Sequence, residues 1–210
     1  PKAADASAVP SGAAAAATPA RIANETLIFA LLALVLSIAA GIGSIVVVHL
    51  LIFLQARGVD FAVAVSLGTL FGPAQVGARV VERLLGSRYH PIWTMVGSCT
   101  LMAIGLLMLA GHFPLLLLVI LLYGAGYGVS WIGRGTLPLA LFGPTRFPRL
   151  MGKLAFPSLI VQALAPSAGA LAIEATGADA TIGVLTLLAL INVVLIGVLW
   201  AVCRPRLSGA

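Results

Sequence analysis

The sequence predicts an all-α integral membrane protein with six transmembrane helices. Composition is the first observation behind this prediction: 61% of the residues are hydrophobic and 9% are charged, whereas soluble domains carry about 25% charged residues. The second is a mean hydropathy of +1.14. The third is that the apolar residues form continuous runs, not the alternating pattern of a membrane β-barrel.

Each run is long enough to cross a hydrocarbon core of about 30 Å, which takes about 20 apolar residues in a helix. The predicted spans are residues 26–54, 61–81, 92–110, 115–142, 154–174 and 181–203. The predicted connections are residues 55–60, 82–91, 111–114, 143–153 and 175–180. Because these connections are short, consecutive helices are predicted to be antiparallel neighbours. We expect one bundle over residues 22–204 and a cytoplasmic tail over 205–210.

Residues 1–21 differ in composition from the rest of the chain. Ten of the first twenty residues are Ala, mixed with Pro, Ser, Gly and Thr, so this segment has almost nothing large to bury. We expect a disordered cytoplasmic linker. A secretory signal is not expected, because the segment lacks a Leu-rich core.

The first two spans carry isolated polar residues. His49 lies near the outer end of the first span, where it could bind a ligand or serve as a packed hydrogen-bonding group. In the second span, Gln75, Arg79 and Glu82 share one helical face, and the spacing lets Arg79 and Glu82 pair. Pro73 predicts a kink in mid-span.

The fourth span contains the motif YGAGYGVSWIGRGTLP at residues 123–138. At 100° per residue, its aromatic and polar side chains fall on one stripe about 100° wide. The stripe consists of Tyr123, Tyr127, Ser130, Trp131 and Arg134. Glycine rows border it, with Gly124, Gly128 and Gly135 on one side and Gly126 and Gly133 on the other. Small residues permit close helix packing in membranes, so neighbouring helices are predicted to contact both rows.

Two interpretations of this stripe stay open. Polar groups in membrane helices usually face protein or a watery cavity, which favours a cavity lined by Tyr123, Tyr127 and Trp131. Aromatic residues also populate the membrane interface, and Arg134 is near enough to its helix end to snorkel to the headgroups. Gln162 in the fifth span is a further cavity candidate. Cys99 and Cys203 indicate neither a disulfide nor a metal site, and no cofactor is expected.

The basic residues predict the orientation of the chain. With both termini in the cytoplasm, eleven Lys and Arg residues lie on the cytoplasmic side and only Arg57 lies on the other, as the positive-inside rule requires. This asymmetry accounts for the net charge of +6 without a nucleic-acid partner.

Three stretches, GPAQVGARVVE, YGAGYGVSWIGRGTLPLALFGP and LMGKLAFPSLIVQALAP, together resemble the carboxy-terminal half of a bacterial major facilitator superfamily transporter. The resemblance covers about residues 22–203. It implies half of a 12-helix bundle, with residues 1–21 as the central linker and the amino-terminal six-helix bundle, or a second copy, as partner. It also implies a location in the bacterial inner membrane.

The resemblance further implies a substrate site and a latch. The substrate site would lie in mid-membrane at the spans that carry His49, Gln75, Tyr127, Trp131 and Gln162. The family's latch motif is present as residue types with altered spacing, and it assigns a conformational latch to Arg79, Glu82, Arg83 and Arg88.

The resulting expectation is a secondary active transporter that moves a small molecule by alternating access in membrane lipid. It is not expected to be an enzyme: an intramembrane serine protease would need a base and an oxyanion partner, which Ser98 and Ser130 lack. A channel is disfavoured because no span carries a row of filter groups. The alternative is a six-helix membrane subunit with a structural or assembly role.

Overall fold

The computed structural model describes residues 25–85 and 89–207, with the side chains up to residue 204. Every regular element in these ranges is a helix, as predicted. The helices are α1 (Glu25–Gln55), α2 (Phe61–Thr69), α3 (Phe71–Leu85), α4 (Pro91–Ala110), α5 (Leu116–Thr176) and α6 (Ala178–Leu207). The predicted linker 1–21 and Arg88 lie outside the described residues, while α6 extends into the segment predicted as a tail.

Five helical segments of the described chain are long and apolar enough to cross a membrane. They are Glu25–Gln55, Phe61–Leu85, Pro91–Ala110, Leu116–Thr176 and Ala178–Arg204. The second joins α2 and α3, which meet at Leu70 just before Pro73. This is the region where the sequence predicts a kink.

The segment predicted as a connection at 143–153 is almost entirely helical, and this corrects the prediction. Within α5 only Gly143 leaves helical geometry, with φ 74° and ψ 164°, a conformation that glycine adopts without strain. Pro144 follows at once, and the fixed φ of proline suits the first turn of a new helix. Thus α5 is two helices in series, which we call arm 1 (residues 116–142) and arm 2 (residues 144–176).

The two arms run back along each other. In a straight helix, Tyr127 and Gln162 would be about 50 Å apart at 1.5 Å per residue. Instead both lie against the same short stretch of α1: the Ser44 hydroxyl donates to the Gln162 carbonyl at 2.8 Å, and the Tyr127 ring lies against Gly43. Gly143 therefore reverses the chain direction.

Arm 1 and arm 2 together place α5 in contact with α1, α3, α4 and α6. Buried apolar side chains form two clusters around it. One cluster lies near the connection at Arg57 and includes Phe53, Leu106 and Tyr123. The other lies near Glu25 and includes Leu32, Leu137 and Phe142. We refer below to the Arg57 end and the Glu25 end of the bundle.

The start of α4 at the Glu25 end is capped by a histidine. The Nδ1 atom of His90 accepts a hydrogen bond from the backbone N–H of Ile92 at 3.2 Å, and Pro91 occupies the first turn. Accepting this bond requires an unprotonated Nδ1. Desolvation by burial lowers the pKa of His90, which favours the same neutral form.

Candidate functional site

Four aromatic rings stack along one side of arm 1. Tyr123 and Tyr127 are nearly parallel, with ring centroids 6.4 Å apart, and Trp131 meets Tyr127 edge-on at 6.2 Å. Phe71, from the start of α3, stacks on both tyrosines at 6.1 and 5.8 Å. The spacing of four residues brings the side chains of Tyr123, Tyr127 and Trp131 onto the same face of arm 1. We call Phe71, Tyr123, Tyr127 and Trp131 the aromatic ladder.

Glycines allow neighbouring helices to come close to the ladder. A Cβ atom on Gly128 would lie 2.6 Å from the backbone oxygen of Gln75, and one on Gly124 would lie 3.0 Å from the Cβ of Ala74. Arm 1 and α3 therefore cross at these two glycines. On the α1 side, Gly43 leaves the space that the Tyr127 ring occupies. The ladder is held between α1 and α3 because these positions lack side chains.

The second glycine row contacts α4. A Cβ atom on Gly126 would lie 2.7 Å from the backbone nitrogen of Met102, and one on Gly133 would lie 2.9 Å from the Met95 sulfur. Gly135 differs from the packing role predicted for it, since a Cβ atom there would meet nothing within 4 Å. Next to this position, a cavity lined by Arg83 of α3 and Thr136 of arm 1 lies between the two helices.

Three of the predicted cavity residues meet in one crevice. Tyr127, Trp131 and Gln162 line it together with Ser130 and Arg134. Its volume is about 10 Å³, which is the space of roughly one water molecule. Trp131 is 41% exposed at its mouth, and the Arg134 guanidinium lies 4.7 Å from the centre of the Trp131 ring. The crevice thus combines an aromatic face, a cation and hydrogen-bonding groups.

The other three predicted cavity residues lie away from the crevice. Tyr123 is 4% exposed, and within the described chain its buried hydroxyl has no hydrogen-bond partner. Gln75 accepts a hydrogen bond from Arg79 at 3.3 Å. His49 is buried, and its Nδ1 lies 3.0 Å from the Ile45 carbonyl of its own helix, so that Nδ1 carries the proton. The sequence did not predict that Phe71 joins the aromatic ladder. Nor did it predict that Tyr123, Gln75 and His49 lie away from the crevice.

The residues predicted as a latch form different bonds from those expected. Arg79 and Glu82 do not pair, because Arg79 donates through Nε to the Gly128 carbonyl at 3.0 Å, which the missing glycine side chain leaves accessible. The Glu82 carboxylate instead accepts from Thr94 at 2.5 Å and from Tyr89 at 3.0 Å. Desolvation, followed by the Glu82 hydrogen bond and charge, raises the pKa of Tyr89.

At the Arg57 end, two connections and the start of α6 meet in a network that the sequence did not reveal. The Arg57 side chain is only 4% exposed and bonds Asp179 at 2.5 Å. It also lies 2.7 Å from Nε2 of His112, whose Nδ1 faces the Ala110 carbonyl at 3.1 Å. The Nδ1 atom therefore donates to the carbonyl, and Nε2 accepts from Arg57. We call Arg57, His112 and Asp179 the Arg57 network.

Comparisons with models of known protein families, with curated proteins and with solved structures found no significant match to this chain.

Proposed function

We propose that this protein is a secondary active transporter of a small molecule and that the crevice at Trp131 is part of its substrate site. One observation carries the proposal: an arginine and a tryptophan are paired on a half-exposed face inside a membrane-spanning segment. A charged side chain in mid-helix costs about 2.5–3.5 kcal/mol in lipid. Such a face is stable against a water-filled cavity or against protein.

The direction of the Arg134 side chain supports a cavity over snorkelling. Arg134 lies about 14 Å from the Gly143 break at 1.5 Å per residue. Its guanidinium contacts Trp131, which lies on the side away from that break and therefore towards the middle of arm 1. A snorkelling arginine would reach the opposite way, towards the helix end.

The proposal includes six membrane crossings, with arm 1 and arm 2 of α5 each crossing once. At 1.5 Å per residue, 61 residues of helix would extend about 92 Å, three times the hydrocarbon thickness. The reversal at Gly143 makes each arm comparable in length to one crossing. Six crossings fit half of a major facilitator-type transporter, in which a second six-helix bundle supplies the opposite wall.

In this proposal each residue of the crevice has a distinct role. Trp131 stacks on the substrate, Arg134 supplies a positive charge or a hydrogen-bond donor, and Gln162 supplies an amide. Tyr127 supports Trp131 from behind. Alternating access then exposes the crevice first to one side of the membrane and then to the other, as the two bundles rock.

Water accessibility tests the proposal. Trp131→Cys and Leu121→Cys introduce thiols at residues that are 41% and 40% exposed but that lie on different faces of arm 1, about 80° apart at 100° per residue. The native Cys99 and Cys203 are both buried, which limits background labelling. In the full protein in its membrane, a membrane-impermeant maleimide is expected to label Trp131→Cys at least about tenfold faster than Leu121→Cys.

Equal and slow labelling of both thiols would contradict the cavity. It would mean that the Trp131 face is covered by lipid or by a partner protein, as expected for a structural or assembly subunit. Faster labelling that a transported compound then suppresses would identify that compound as a substrate.

We further propose a bacterial inner-membrane location with the Glu25 end facing the cytoplasm. The basic residues Arg79, Arg83, Arg149 and Lys153 lie towards this end, as the positive-inside rule favours. Arg149→Cys should then react with an impermeant maleimide only after the membrane is opened, and Asp60→Cys should react in intact cells. The reverse pattern would invert the proposed orientation.

A further inference from the structure

A second and larger cavity lies on the other side of arm 1 from the ladder. It is a groove of about 790 Å³ between α3 and α4. Leu121, Ala125 and Val129 of arm 1 form its floor, and Ala78 of α3 and Gly97 of α4 belong to its walls. Small side chains on all three helices keep the groove open, and apart from Ser98 its lining along these helices is apolar up to the Glu25 end.

At the Glu25 end the groove reaches polar groups. Glu82 and Thr94 line the groove and also line an adjoining cavity of about 390 Å³. Arg79 and Arg83 line the adjoining cavity. The Glu82 oxygens already accept from Thr94 and Tyr89, so this carboxylate joins the start of α4 to α3.

Arg83 is available to a ligand. Its side chain is exposed, and within the part of the chain that the structure describes it forms no hydrogen bond or ion pair. The two positive charges of Arg79 and Arg83 and the one negative charge of Glu82 give a net charge of +1 where the groove meets the adjoining cavity. An apolar groove that ends in a net positive charge is complementary to an amphiphile with a single negative charge.

We propose that the groove binds a membrane phospholipid with an anionic headgroup. One acyl chain lies over the small residues of arm 1, and the phosphodiester binds Arg83, with Arg79 adding its charge. Arginine is suited to phosphate because its planar donors match phosphate oxygens. This site lies on the opposite face of arm 1 from the crevice and does not depend on transport.

The first test fills the groove. A Cβ atom at Gly97 meets nothing within 4 Å, so Gly97→Leu extends into the groove without a clash at Cβ. Gly183→Leu is the matched control, since Gly183 is also an open helical glycine but lies on α6. The purified protein is titrated with dioleoyl phosphatidylglycerol, and bound lipid is counted by native mass spectrometry.

Gly97→Leu is expected to lower lipid occupancy at least about fivefold, whereas Gly183→Leu retains it. A thermal melt of each variant shows whether the fold is kept. Occupancy of Gly97→Leu equal to that of the unchanged protein, with the fold kept, would overturn the site.

The second test addresses the headgroup. Arg83→Gln should weaken phosphatidylglycerol binding about tenfold and leave the weaker dioleoyl phosphatidylcholine binding unchanged. Arg149→Gln, an exposed arginine outside both cavities, should change neither. Equal affinity of the unchanged protein for the two lipids, or an equal loss in Arg83→Gln and Arg149→Gln, would overturn the proposed anionic recognition.

Discussion

At the scale of single residues, Gly128 tolerates little change, because its neighbour is backbone. A Cβ atom there would lie 2.6 Å from the Gln75 oxygen and 2.7 Å from its Cα, and neither atom can rotate away. We predict that Gly128→Leu destabilises the bundle by about 3 kcal/mol or more, since overpacking must separate α3 from arm 1. Thermal unfolding in detergent measures the loss.

Leu118→Ala is the control for this prediction, because Leu118 lies on the same arm and is 39% exposed. Its effect should stay within about 1 kcal/mol. Equal melting temperatures for the Gly128→Leu and Leu118→Ala variants would show that the close crossing is absent in the folded protein.

The cap at His90 gives a pH-dependent prediction. Desolvation lowers the pKa of His90 in the folded state below its ordinary value of 6.5, so the unfolded chain binds the proton more readily. The contribution of the neutral His90 cap to the free energy of unfolding is therefore complete above about pH 6.5 and is lost as pH falls through the folded-state pKa. His90→Asn keeps an N-cap acceptor without titrating.

Melting temperatures of the two proteins between pH 8 and pH 5 test this prediction. The unchanged protein should lose more stability than His90→Asn below about pH 6.5. Because His49 and His112 are common to both proteins, the difference between the two curves isolates His90. Parallel curves would contradict the assignment.

Side-chain placement was predictable where helical periodicity alone decides it. The period of 3.6 residues puts Tyr127 and Trp131 on one face, and the structure has them in one crevice with Gln162. Periodicity also made an Arg79–Glu82 pair sterically available, but it carries no information on competing partners. Arg79 donates a hydrogen bond to the Gly128 carbonyl, and Glu82 accepts one from Thr94. Both partners belong to other helices.

At the scale of elements, the reversal in α5 depends on one residue. Gly143 has φ 74° and ψ 164°, a conformation that is essentially confined to glycine and costs an L-residue about 1–3 kcal/mol. We predict that Gly143→Ala destabilises the protein by about 1 kcal/mol or more, as measured by thermal unfolding. Gly152→Ala is the matched control, because Gly152 lies in regular helix with open space around its Cα, and alanine favours helix there by about 1 kcal/mol.

A Gly143→Ala variant as stable as the Gly152→Ala variant would mean that the chain reverses elsewhere. Trypsin sensitivity at Arg146 and Arg149 offers a second measurement, because a displaced break would expose these residues differently. The unchanged protein should be cut slowly at both, since they lie within the helix of arm 2.

Residues 143–153, predicted as a connection but almost entirely helical in the structure, show that hydropathy does not locate the end of a helix. Hydropathy locates the apolar part of a helix, and charges at Arg146, Arg149 and Lys153 end the apolar part. A helix, however, continues as long as its backbone hydrogen bonds are satisfied, in water as well as in lipid. The sequence therefore predicted long apolar helices, which the structure has, but placed a connection where arm 2 has already begun.

At the scale of the whole molecule, the Arg57 network joins the α1–α2 connection, the α4–α5 connection and the start of α6. Asp179→Asn would remove the carboxylate partner of a side chain that is 4% exposed. Because Asp179 itself is 63% exposed, water partly replaces the lost interaction. We therefore predict that the free energy of unfolding falls by about 1 kcal/mol. Thermal unfolding measures it, with the exposed Glu174→Gln as control.

A double-mutant cycle with Arg57→Gln tests whether the two residues act together. The coupling should exceed about 0.5 kcal/mol, so that the double variant is more stable than the sum of the single changes predicts. Strict additivity would show that Arg57 and Asp179 do not interact in the folded protein.

Short connections made the antiparallel order of neighbouring helices predictable, since a few residues cannot carry the chain across a bilayer. Which helix contacts which was not predictable from such connections. Contacts among distant segments, such as Arg57 with Asp179 or Gly43 with Tyr127, depend on how all the helices pack. That information is spread over many residues, each with a small preference.

The joint at Gly143 also bears on how the protein is made. Arm 1 and arm 2 are linked by one non-helical residue, so no loop exists that could cross the bilayer after arm 1 has entered. If each arm crosses the membrane once, as proposed above, we expect the two arms to enter the lipid together as a helical hairpin. Arg146, Arg149 and Lys153 follow the joint closely, and their charge resists translocation. With the orientation proposed above, we expect the turn at Gly143 to stay on the side where translation takes place while the pair is inserted.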